Sequence, residues 1–75
     1  DDSLAKDLNF LFLNLNPTEI LVLKKYFGIE YNEMSLEQIS SELNITKERV
    51  RQIKDKAILK LRKSDQISKL FKYLG

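Results

Sequence analysis

The stretch Thr46–Lys63, T-K-E-R-V-R-Q-I-K-D-K-A-I-L-K-L-R-K, decides how the chain is read. Val50, Ile53, Ala57 and Leu61 recur at steps of three and four, which lines one side of an α-helix. At roughly 100° per residue, Glu48, Arg51, Gln52 and Asp55 fall on the opposite side, with Lys47 and Lys56 flanking them. Thr46 suits the N-cap, because its hydroxyl accepts one of the orphan N–H groups of the first turn. The pattern predicts one amphipathic helix with a long apolar stripe and a polar face able to hydrogen-bond base edges.

The segment before it agrees. Ser35–Leu43, S-L-E-Q-I-S-S-E-L, opens with Ser35 and Gln38 in capping-box spacing, and Leu36, Ile39 and Leu43 form its apolar stripe. Asn44-Ile45 then leaves only a tight turn before the basic helix, with Ile45 placed to plug the angle. A short helix, a tight turn and a longer basic helix make a helix-turn-helix, at about residues 35–63. The glycine usual in such a turn is missing, and Asn44 substitutes because Asn tolerates left-handed backbone.

Working outward, Asn16-Pro17-Thr18-Glu19 combines a cap, a proline at the first helical position and a capping-box Glu. Ile20, Leu21, Leu23, Tyr26 and Phe27 fill the helix that follows, and Gly28 closes it. A further helix is expected over Ser3 to about Leu13, capped by Ser3, from Leu4, Leu8, Leu11 and Leu15 at helical spacing. Phe10 and Phe12 lie off that stripe, so the two rings either fill the core or form a patch for a partner. A last helix is expected from Asp65 to about Leu74, capped by Ser64, with Ile67, Leu70, Phe71 and Leu74 as its apolar face. The fold class is therefore all-α: about five helices, a helix-turn-helix of the winged-helix-like or homeodomain-like class, and no sheet.

Composition narrows the function. Seventy-five residues make one small domain, too short for an enclosed catalytic cleft with its own supporting shell. With no Cys and no His, the chain has no disulfide, no zinc finger and no His-based catalysis. Glu48 and Asp55 share a helix face but lack a partner base or metal cluster, so an enzyme is not expected, and no cofactor or metal is implied. The apolar runs are too short to span a membrane, and Asp1-Asp2-Ser3 does not read as a secretion signal, so an intracellular protein is expected.

The net charge of +2 hides a segregation. Residues 1–45 hold three Lys and eight Asp/Glu, a balance of −5, whereas residues 46–75 hold ten Lys/Arg and three Asp/Glu, a balance of +7. A positive end attracts the phosphate backbone, the main source of sequence-independent affinity for DNA. A solvated charged helix would also account for the bias alone; the helix-turn-helix pattern favours DNA.

Three segments together resemble the C-terminal domain, region 4, of bacterial sigma-70 family factors. They are Y-F-G-I at 26–29, M-S-L-E-Q-I at 34–39 and I-T-K-E-R-V-R-Q-I-K-D-K-A-I-L-K-L-R at 45–62. The last tracks the family signature V-T-R-E-R-V-R-Q-I-E-x-K-A-L-x-K-L-R, in the form typical of the primary, housekeeping group. The resemblance implies a fragment of a longer bacterial factor, acting in the cytoplasm at the nucleoid. It implies binding of double-stranded promoter DNA at the −35 element, docking on the β flap of RNA polymerase, and contact with activators and anti-sigma proteins.

Carried over by position, Lys47, Glu48 and Gln52 match residues that read base edges, and Arg49 and Arg51 match positions at or near phosphates. Ser35 and Leu36 start the supporting helix, whose N–H groups face a phosphate. Lys54 and Lys56 extend the basic surface as further expected phosphate contacts, with Arg49 and Lys56 on the edge where a solvated role is the alternative. The chain departs from the family at three positions: Lys47 stands for the usual Arg, Lys54 for Glu, and Tyr26 for the Arg before Phe-Gly. Two other functions remain open from the residues: a free-standing regulator, which would need a dimer to read two half-sites, and a module whose main task is protein docking.

Overall fold

The computed structural model describes residues 12–74. Four helices occupy them: α1 (Pro17–Phe27), α2 (Leu36–Leu43), α3 (Lys47–Lys63) and α4 (Ile67–Leu74). No strand occurs among the described residues. The helix expected over Ser3–Leu13 lies outside the described residues except for its end, where residues 12–14 form a turn.

Local chemistry starts the first three helices where expected. Asn16 Oδ1 accepts from the Glu19 N–H at 2.8 Å, and Glu19 Oε1 accepts from the Asn16 N–H at 3.0 Å. Ser35 and Gln38 repeat this reciprocal box on α2, at 3.1 and 2.9 Å. Thr46 Oγ1 accepts from the Arg49 N–H at 3.0 Å to open α3. Each cap satisfies donors that the helix cannot satisfy itself. At the other ends, Gly28 and Asn44 both adopt left-handed backbone, with φ of 73° and 59°. Asn44 thus does the task of the missing turn glycine. A Cβ on Gly28 would meet the Glu33 backbone N and Cβ at 3.3 Å, so that position wants glycine for space as well as for φ.

The start of α4 differs from expectation. Ser64 turns its hydroxyl back onto the Lys60 carbonyl at 3.0 Å and so caps the end of α3. Asp65 then takes φ 60°, and helical backbone resumes only at Ile67. A serine hydroxyl serves either helix equally well; here the orphan carbonyls of α3 take it.

Two apolar clusters form the interior, and α3 runs through both. At its N-terminal half, Val50 and Ile53 meet Val22 of α1 and Ile39 of α2, with Leu36, Leu43 and Ile45 packed around them. At its C-terminal half, Ala57 and Leu61 meet Leu23 of α1, Leu70 of α4, Ile29, Phe12 and Leu15. Adjacent residues of α1, Val22 and Leu23, therefore face different clusters; Val22 was not among the expected core residues. Phe12 is core; Phe10 lies outside the described residues. On α4, Leu70 is buried and Ile67 packs against the cluster, but Phe71 and Leu74, expected on the buried face, stay 57% and 39% exposed. Tyr73 packs inward instead.

Candidate nucleic-acid interface

Burying the stripe Val50, Ile53, Ala57 and Leu61 turns the opposite face of α3 to solvent. That face carries Glu48, Arg51, Gln52 and Asp55, with Lys47, Arg49 and Lys56 also exposed. The fold therefore brings Lys47, Glu48 and Gln52 together on the first two turns of one outward helix, beside Arg49 and Arg51. Ser35 is exposed at the N-terminus of α2, where Leu36 is half-buried.

The face is internally bonded. Arg51 Nε donates to Glu48 Oε2 at 3.0 Å, its Nη2 donates to Glu48 Oε1, and its Nη1 donates to Asp55 Oδ2 at 2.7 Å. The spacing i−3 and i+4 puts a carboxylate one turn to either side of the guanidinium. The hydrogen bond from Arg51 holds the Glu48 carboxyl below its ordinary range against slight desolvation, helped by the Arg51 charge and a hydrogen bond from Gln52. Hydrogen bonding to Glu48 and the Glu48 charge, with Asp55 adding to both, push Arg51 further up. Glu48 thus gathers both Arg51 and Gln52. Among the described residues, neither Lys47 nor Arg49 joins an ion pair.

Lys54 behaves differently from the other basic residues. Its side chain is only 17% exposed, its ammonium lies 5.0 Å over the Tyr26 ring, and Asp55 Oδ1 is 3.3 Å away. Two positions at which the chain departs from the family pattern, Tyr26 and Lys54, are therefore in contact across α1 and α3. A cation over an aromatic face is a favourable pair.

Behind the face, two ion pairs lock the helices that aim it. Glu19, almost fully buried, completes its capping box and also accepts from Lys60 Nζ at 2.8 Å, tying the start of α1 to α3. Burial pushes the Glu19 carboxyl up, but hydrogen bonds from Lys60 and the Asn16 N–H, with the charges of Lys60 and Lys56, outweigh it and leave it lowered. Lys25, also buried, donates to Glu42 of α2 and sits 4.3 Å over the Tyr31 ring. Neither tie was expected from the sequence. Asp55 lies on the face where its spacing put it, but its pairing with Arg51 was not foreseen, though the i+4 spacing is a visible signal. Among the described residues, no group of His, Cys, Asp and Glu could hold a metal ion, and no helix is long and apolar enough to cross a membrane.

Comparison with known proteins places this arrangement. Residues 11–63 match the family model for sigma-70, region 4. The RNA polymerase sigma factor SigA of Clostridium acetobutylicum is 40% identical over 74 residues, covering 97% of this chain and 18% of that protein. SigA of Nostoc is 39% identical over 72 residues, covering 95% and 18%. The sigma factor RpoD of Neisseria gonorrhoeae is 39% identical over 62 residues, covering 81% and 10%. The chain thus spans less than a fifth of the length of these relatives. No solved structure matches it. The matched segment contains α1, the helix-turn-helix and the whole exposed face of α3, and the chain belongs to the sigma-70 region 4 family as a sigma-factor DNA-binding domain of the primary type.

Proposed function

We propose that this domain reads the −35 element of bacterial promoters while docked on the β flap of RNA polymerase, in the cytoplasm at the nucleoid. The observation that carries the reading is the outward N-terminal half of α3, where Lys47, Glu48 and Gln52 share one surface opposite a fully buried stripe. A helix exposed in this way enters the major groove, whose base edges differ in donor and acceptor pattern. Lys47 donates to guanine O6 or N7, Glu48 accepts from cytosine N4, and Gln52 pairs with adenine. Arg49, Arg51 and Lys56, with the N–H groups at Ser35 and Leu36, contact phosphates and set the register. Lys54 adds positive charge beneath them. The lysine at position 47 lacks the planar fork of arginine, so its grip on guanine is not bidentate. Activators and anti-sigma proteins are further partners on the same grounds of family.

The test is selection of duplexes from a randomised pool by the 75-residue chain, at low and moderate salt, with the polymerase β flap added to half the samples. Enrichment of one short asymmetric motif, strengthened by the flap, is the expected result. A palindromic motif indifferent to the flap would assign a free-standing dimeric regulator instead. Flap binding with no enriched motif would leave protein docking as the main role.

A further inference from the structure

Asp55 has no task in the DNA reading just given, yet it sits in the middle of the reading face. Its carboxylate accepts from Arg51 Nη1 at 2.7 Å and lies 3.3 Å from Lys54 Nζ. The opposite edge of the same guanidinium, Nε and Nη2, is occupied by Glu48. Glu48 and Asp55 offset the charges of Arg51 and Lys54 and leave the centre of the face neutral, while Lys47, Arg49 and Lys56 surround it. Against a wall of phosphates, two cations offset in this way add less affinity for every sequence alike. Such an offset is useful only if the loss is recovered at some sequences and not at others.

The hydrogen-bond geometry supplies that condition. Arginine has five donors in a rigid fork, and here the two edges of the fork serve two different acceptors. When cytosine N4–H takes Glu48, the Nε and Nη2 edge is released and can turn to a phosphate, while Nη1 stays on Asp55. When no cytosine is present, Glu48 keeps that edge and the phosphate contact does not form. We propose that Asp55 sets DNA specificity by holding Arg51 so that its phosphate contact forms only when Glu48 engages a base. Asp55 is thus a positioning residue that couples a base contact to a backbone contact. The inference rests on the DNA reading above and deepens it.

The experiment compares the parent 75-residue chain with Asp55→Ala and Asp55→Glu. Binding is measured by fluorescence anisotropy to the selected duplex and to one of random sequence, between about 50 and 200 mM salt. Asp55→Ala is expected to bind the random duplex about 3- to 10-fold tighter at the lowest salt, with a salt slope steeper by about one as Arg51 gains a phosphate there. Its ratio of selected to random affinity falls by a similar factor. Asp55→Glu keeps the parental ratio, because a glutamate at i+4 still reaches Arg51. Asp55 is half-exposed and outside both apolar clusters, so parental helix content by circular dichroism is expected in both variants. Unchanged or weaker random binding by Asp55→Ala overturns the proposal, and so does an equal gain on both duplexes. A parent chain that bound neither duplex would overturn the DNA reading itself, and the role of Asp55 with it.

Discussion

The two halves of α3 use similar residues for different ends. In the N-terminal half, charges pair along one helix: Arg51 with Glu48 and Asp55, all exposed. In the C-terminal half, Lys60 reaches across 41 residues to Glu19, whose side chain is 3% exposed. The first kind of pair lies in water, contributes little to stability, and can be traded for a DNA group at small cost. The second lies against the core and is shielded from solvent, so losing one partner leaves a charge poorly hydrated. Position relative to solvent, rather than residue type, separates the part of α3 that is free to bind from the part that anchors it.

That contrast can be broken most severely from the anchored side. Leu61→Ala empties a fully buried position between α1, α3 and α4 and is expected to cost about 2–5 kcal/mol, measured by urea unfolding. A loss below about 1 kcal/mol would mean that the C-terminal cluster is not the anchor. On the reading side, Glu48→Ala is expected to lower discrimination at one base pair about tenfold in competition binding, with the thermal midpoint unmoved. Unchanged sequence preference would remove Glu48 from the base-reading set.

Glu19→Gln keeps the capping acceptor but removes the charge facing Lys60, and should cost about 1–2 kcal/mol, the low figure because Lys60 remains a third exposed. It also carries a pH signature. The folded carboxyl is lowered from 4.5, so the stability it contributes is fully present above the unfolded value and is lost as pH falls below it through the folded one. The parent should therefore weaken below about pH 4.5 more steeply than Glu19→Gln, as read by thermal midpoints across acid pH. Parallel curves would show that the pair is too well hydrated to matter. The smallest effect is expected for Arg51→Ala: a salt dependence flatter by about one on the selected duplex, with no change of slope on the random one.

Much of the fold was legible because its signals are local. Helix starts at Pro17, Leu36 and Lys47 follow from caps whose donor and acceptor lie three residues apart, and the left-handed Asn44 follows from one residue's tolerance. Ser64 misled because its hydroxyl can cap the helix before it or the helix after it, and only the finished backbone decides. The apolar face of α4 was also misread: a period of 3.6 marks Phe71 and Leu74 as equivalent to Leu70, but α3 covers only one edge of so short a helix. In the candidate site, the set Lys47, Glu48, Arg51 and Gln52 was visible as one helix face, while the bonding among them required side-chain geometry.

The three capped helices, the helix-turn-helix and the stripe that turns the reading face outward follow from residue order alone, since all of these depend on spacings within a turn or two. Packing of the helices was needed to bring Glu19 to Lys60, Lys25 to Glu42, and Tyr26 to Lys54, two separate departures from the family pattern. Those contacts join residues 17 to 41 positions apart, and no periodicity carries information over such distances. They exist because two apolar clusters press α1, α2 and α4 onto α3 and so bring particular polar groups within reach at their margins.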